Sequence, residues 1–126
     1  MRFFGIDRAL VALACLAGLL GVALSAAAAH ILGADSLKTA AQFLLFHAPA
    51  ILALAGFAAA GLARPGLMRL ASGLLVLGLI LFCGDLSMRA WLQHPLFPMA
   101  APIGGFALMG GWFAGILGAL VPVRRV

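Results

Sequence analysis

The chain has 126 residues, of which 66% are apolar and 9% charged, with a mean hydropathy of +1.23 and a formal net charge of +5. Soluble domains run at about 45–50% apolar and about 25% charged. A soluble globular domain, a disordered chain and a disulfide-rich secreted module are therefore excluded. What remains is a polytopic membrane protein, with room for at most about five or six spans of ~20 apolar residues.

The first apolar run extends from about residue 9 to 32. Asp7 and Arg8 precede it, and Gly33-Ala34-Asp35-Ser36 closes it with turn and capping residues. The second covers 37–63 and contains Pro49; Arg64-Pro65-Gly66 breaks it, because proline disfavours helix at the residue before it. The third covers 67–93, with Asp85 and Arg89 in its last third, and ends at His94-Pro95-Leu96-Phe97-Pro98. The fourth covers 99–121 and ends at Pro122 and Arg124-Arg125. Each run is continuous rather than alternating, which argues for helices and against a barrel. Short links make consecutive helices antiparallel, so the expectation is an all-α, four-helix transmembrane up-down bundle forming a single integral membrane domain over 1–126.

Charge sets the expected orientation. Arg2, Arg8, Arg64, Arg69, Arg124 and Arg125 fall on one side and Lys38 and Arg89 on the other. The positive-inside rule then puts the N- and C-termini of this multi-pass protein in the cytoplasm. A cleaved signal peptide is the competing description of residues 1–29, with Arg2 and Arg8 as its basic flank and Ser25-Ala26-Ala27-Ala28 as the cleavage site. A signal core is typically about 7–15 residues, whereas this run is longer and continues into His30-Ile31-Leu32, which favours an uncleaved span. The scattered basic residues form no basic face with interleaved aromatics, so they read as topology and lipid-headgroup contacts, not as a nucleic-acid site.

Helices in lipid associate through close approach at small residues. Gly104, Ala107, Gly111, Gly115 and Gly118 share one face of the fourth run, and Gly111 to Gly115 is a G-x-x-x-G. These glycines read as a helix-packing face within the bundle, or alternatively as a self-association or partner-docking face.

Polar groups inside spans are the default functional candidates. His30, His47, Asp85 and Arg89 lie towards the outer half of the bundle, with Gln42, Ser87 and His94 nearby, and form the candidate intramembrane cluster. Asp85 and Arg89 are four apart and share a helical face, so a self-contained ion pair is one reading. The other couples Asp85 to His47 across helices, where a carboxylate beside an imidazole could carry a proton. Pro49 leaves the Leu45 carbonyl without its helical donor, inviting a polar neighbour or a kink. His47 lies deeper than His30 and His94, which disfavours a bis-histidine haem. His30, Asp35 and His94 lack metal-motif spacing, Cys15 and Cys83 likewise, and no serine has an implied base partner. No catalytic residue, metal or cofactor is expected.

The chain resembles the domain of unknown function 423 family of small membrane proteins. The resemblance rests on Ala28-Ala29-His30, Phe46-His47-Ala48, Leu81-Phe82-Cys83-Gly84-Asp85-Leu86, and Ala101-Pro102-Ile103-Gly104-Gly105 with Gly110-Gly111-Trp112. It departs from the family pattern in three places. The family pattern has Gly-Ala-His at the first site, where this chain has Ala29 before His30; Phe43-Leu44 stands for a Tyr-Gln pair, and Cys83-Gly84-Asp85-Leu86-Ser87 stands for Ser-Gly-Ser-Leu-Tyr. Two polar positions are lost and one carboxylate is gained. The resemblance implies four spans in the inner membrane and an uncleaved first helix, but no reaction. The expected role is non-enzymatic: an accessory or structural subunit of a membrane assembly, or a homo-oligomer, with the lipid bilayer and a membrane-protein partner as its surroundings. The alternative is a small proton-linked carrier or channel using His47 and Asp85, and a redox or quinone-contacting protein is a third class. No internal repeat of the kind that alternating access uses is visible.

Overall fold

A computed structural model describes residues 5–123. Arg2, Arg124 and Arg125, used above to orient the chain, lie outside the described residues. Four helices account for nearly all of the rest: α1 (Gly5–Ala29), α2 (Asp35–Ala60), α3 (Pro65–Trp91) and α4 (Ala100–Leu120). All four are long and apolar enough to cross a membrane. Hydrocarbon offers backbone groups no partner, and a helix satisfies them internally. The fold is the expected all-α four-helix bundle.

The helix ends show what stops each run. Ala28 and Ala29 close α1, and Gly33, at φ +72°, turns the chain towards α2. At the end of α2, Gly61 adopts φ +70°, and the amides of Gly61 and Leu62 donate to the carbonyls of Ala58 and Phe57. This paired pattern satisfies two orphan carbonyls and needs a left-handed residue, which glycine adopts without a Cβ clash. Pro65 then opens α3 at its first position, where its missing N–H costs nothing. The Arg64 amide donates to the Gly118 carbonyl at 3.1 Å, tying the α2–α3 turn to the end of α4.

Consecutive helices form the large interfaces, α1 on α2, α2 on α3 and α3 on α4, while α1 touches α3 over a short stretch. Side-chain size is distributed accordingly. Small residues such as Ala14, Ala40, Ala55 and Ala71 are fully buried, together with Leu37, Ile51 and Leu75. Leu19, Val22, Phe46, Phe106, Phe113 and Leu120 point outward. Small inside and large outside suits a surface that meets lipid, where packing rather than water expulsion holds helices together.

Candidate functional site

Among the described residues, three polar constellations bridge helices or anchor a loop. The first is at the end of the bundle where α1 begins. Asp7 is completely buried, and Arg69 of α3 donates to it through Nε to Oδ1 at 2.9 Å and Nη2 to Oδ2 at 3.0 Å. This is the bidentate fork that matches guanidinium to carboxylate geometry. Both residues were expected at a membrane rim, Asp7 ahead of the first span and Arg69 as an orienting charge. α1 is already helical at Gly5, so Asp7 lies within the helix and not ahead of it.

The second lies near the other end of α3. Asp85 is also completely buried and accepts from Arg89 Nε at 2.7 Å through Oδ2 and from the Leu96 amide at 3.0 Å through Oδ1. One carboxylate thus closes an i,i+4 pair and anchors the loop between α3 and α4. Arg89 is 53% exposed, its guanidinium reaching outward from the buried carboxylate as long cationic side chains do at helix ends.

The third is deep in the bundle. Trp112 Nε1 of α4 donates to His47 Nε2 of α2 at 3.1 Å, and His47 Nδ1 lies 2.8 Å from the Phe43 carbonyl. Indole N–H only donates and a carbonyl only accepts. His47 is therefore the neutral tautomer with the proton on Nδ1, which donates to Phe43, and both ring nitrogens are engaged. Phe43 stacks on the imidazole with ring centroids 5.6 Å apart and 14° between planes. His47 and Trp112 each lie twelve residues into their helices, about 18 Å of rise, well away from the helix ends.

The candidate cluster therefore separates. His30 follows the last residue of α1 and is exposed in the turn, because that helix stops at Ala29 instead of Leu32. Gln42 faces outward and His94 sits in the exposed loop. The thiol of Cys83 donates to the Ala40 carbonyl at 3.5 Å, which sets the register of α3 against α2. By that register Asp85 and His47 are offset by about nine residues along the axis, roughly 13 Å. They do not meet, and each has its own partners. Among the described residues, no three of His, Cys, Asp and Glu stand together as a metal-binding group.

The glycines of α4 divide between two neighbours. Gly104, Gly111 and Gly118, seven residues apart, are buried on α3: a Cβ would lie 2.6 Å from the Phe82 amide nitrogen at Gly104, 3.0 Å from the Ala71 carbonyl oxygen at Gly111, and 3.0 Å from the Met68 methyl at Gly118. Gly115 faces α2 instead, where Leu54 lies 3.6 Å from such a Cβ.

This arrangement is that of a small integral membrane protein whose intramembrane polar groups bridge or anchor helices. Over residues 24–105 the chain matches the family described as protein of unknown function (DUF423), and it belongs to that family. It is 31% identical to the UPF0382 inner membrane protein YgdD of Escherichia coli (strain K12), covering 94% of this chain and 95% of the relative. The YgdD proteins of Escherichia coli O6:H1 and of Shigella flexneri match with the same identity and coverage. No solved structure matches the chain. The chain is a multi-pass inner-membrane protein that lies in the lipid bilayer.

Proposed function

We propose that the protein is a non-enzymatic accessory or structural subunit of a membrane assembly, or the protomer of a homo-oligomer, with both termini in the cytoplasm. The observation that carries this reading is the use made of its buried polar groups. Asp7 and Arg69 bridge α1 to α3, Asp85 fastens α3 to the following loop, and His47 and Trp112 bridge α2 to α4. Side chains that would serve transport or catalysis if left open are engaged in holding helices in register. The separation of His47 from Asp85, and the engagement of both imidazole nitrogens, weigh against a proton path through that pair.

Two experiments test the proposal. Purification in mild detergent from cells expressing the chain at its natural level is expected to yield either a stoichiometric membrane-protein partner or a defined multimer. A monodisperse monomer with nothing bound in stoichiometric amount overturns the assembly role. Reporter fusions after Asp35, Pro65, Leu96 and Val126 are expected to alternate outside, inside, outside, inside. The reverse pattern overturns the orientation.

A further inference from the structure

α1 and α3 approach each other without closing, and a slot of about 360 Å³ runs between them with α2 as its floor. Its walls are Leu13, Leu20 and Leu24 of α1 and Val76, Ile80 and Trp91 of α3. Two polar side chains share the lining. The Cys83 thiol is taken by the Ala40 carbonyl, and Ser87 lies one turn from Trp91 at the mouth. Beyond Leu13 and Val76, the Asp7–Arg69 pair joins the same two helices and bounds the slot at its far end. Fifteen residues of α3 separate Val76 from Trp91, about 22 Å of rise.

We infer that this slot holds one acyl chain of a membrane phospholipid, entering from the side where α1 ends, with Trp91 at the headgroup level. The slot opens directly onto the lipid-facing surface of a membrane-spanning bundle, so its occupant comes from the bilayer. Its size selects among the candidates. A helix about 10–12 Å across cannot enter the slot and could only lay side chains over its mouth, whereas a single extended chain can lie along it. The same volume suits about a dozen water-sized groups at roughly 30 Å³ each, a number fitting the methylenes of one acyl chain. The lining offers a polar ligand almost nothing to bind along its length. Half of a hydrocarbon core of about 30 Å is about 15 Å, so the slot accepts a chain over the full depth of one leaflet and somewhat beyond. Tryptophan favours the interface where the headgroup of such a lipid sits.

Native mass spectrometry in mild detergent, with palmitoyl-oleoyl phosphatidylethanolamine as the added probe, tests this. One lipid per chain is expected to survive conditions that strip all others. Ile80→Trp, which fills the slot, is expected to lower that occupancy at least tenfold, as is Gly84→Leu. Leu77→Trp, on the exposed surface outside the lining, is expected to leave it unchanged. Equal retention by Ile80→Trp and Leu77→Trp overturns the proposal in favour of annular lipid only. A dimer that Ile80→Trp dissociates overturns it in favour of a chain–chain contact. Should both slot-filling variants lose their helical fold, photolabelling of the wild-type protein with a diazirine-acyl phosphatidylethanolamine decides. Saturable labelling at Leu20 or Ile80, competed by unlabelled lipid, supports the site, and non-saturable labelling spread over the outer surface refutes it.

Discussion

Gly104→Ala places a methyl group where the backbone of α3 already stands. Its Cβ would lie 2.6 Å from the Phe82 amide nitrogen and 3.0 Å from the Gly78 carbonyl oxygen, whereas ordinary contact begins near 3.4 Å. Neither atom can rotate away, so α4 must move from α3 by roughly 0.8 Å. A gap of about 0.5–1 Å forfeits a quarter to a half of each dispersion contact, and a buried leucine makes about 40–60 contacts worth about 0.1–0.2 kcal/mol each. Leu108 and Leu75 sit in the notches at Gly78 and Gly111 on the same interface. If about a third of their contacts cross it, the loss is about 2 kcal/mol, within the range for overpacked cores. Alanine is also a better helix former than glycine by about 0.8–1.0 kcal/mol, and this masks part of the effect. The neighbouring Gly105 removes the ambiguity, because a Cβ there meets nothing within 4 Å. The propensity gain is common to the two positions, so Gly104→Ala should unfold at lower denaturant than Gly105→Ala by a stability difference of about 2 kcal/mol. The assay is SDS-induced unfolding in mixed micelles, followed by circular dichroism. Coincident midpoints for the two variants would refute the close-approach argument.

Trp112→Phe removes the donor to His47 and is expected to cost about 1 kcal/mol. Combined with His47→Ala it should be clearly less than additive, whereas His47→Ala and Asp85→Ser should add within about 0.5 kcal/mol; the same unfolding assay reads both cycles. Arg69→Met strips the bidentate partner from a fully buried carboxylate and should cost about 3–5 kcal/mol. Asp7→Ala, which leaves a cation that is already 23% exposed, should cost less, and thermal melting in detergent ranks the two. Asp85→Asn keeps an acceptor for the Leu96 amide while losing the ion pair, so it should be milder than Asp85→Ala, which leaves that amide unsatisfied at about 1–3 kcal/mol. Amide hydrogen exchange at Leu96 should accelerate in Asp85→Ala and change little in Asp85→Asn.

Four uninterrupted apolar runs separated by glycine and proline were enough to read four membrane helices, because hydrocarbon leaves the backbone no alternative. The Asp85–Arg89 pair was legible for the same local reason, its spacing of four residues. The remaining polar contacts were not. Asp7 and Arg69 are 62 residues apart, and counting arginines for orientation assigns both to the rim. His47 and Trp112 are 65 apart, and which helix faces join depends on crossing geometry that no spacing encodes. The Leu96 amide is invisible in a sequence reading because every residue carries one. His30 was misplaced by the three residues that separate the end of α1 from the end of its apolar run. Among the glycines, the strict spacing of seven marks the residues lying on α3, while the G-x-x-x-G partner Gly115 turns towards α2.

The Asp7–Arg69 pair also has a consequence for biosynthesis. Asp7 leaves the ribosome 62 residues before Arg69, an interval of about 3–12 s at about 5–20 residues per second. Throughout it, α1 carries an ionisable carboxylate without the guanidinium that holds it in the finished bundle, and such a group is unfavourable in hydrocarbon. The contact between α1 and α3 can therefore close only after α2 has been made and α3 has begun to emerge. A ribosome-stalled chain truncated before Arg69 would lack that contact, and extension past that residue would allow it to form.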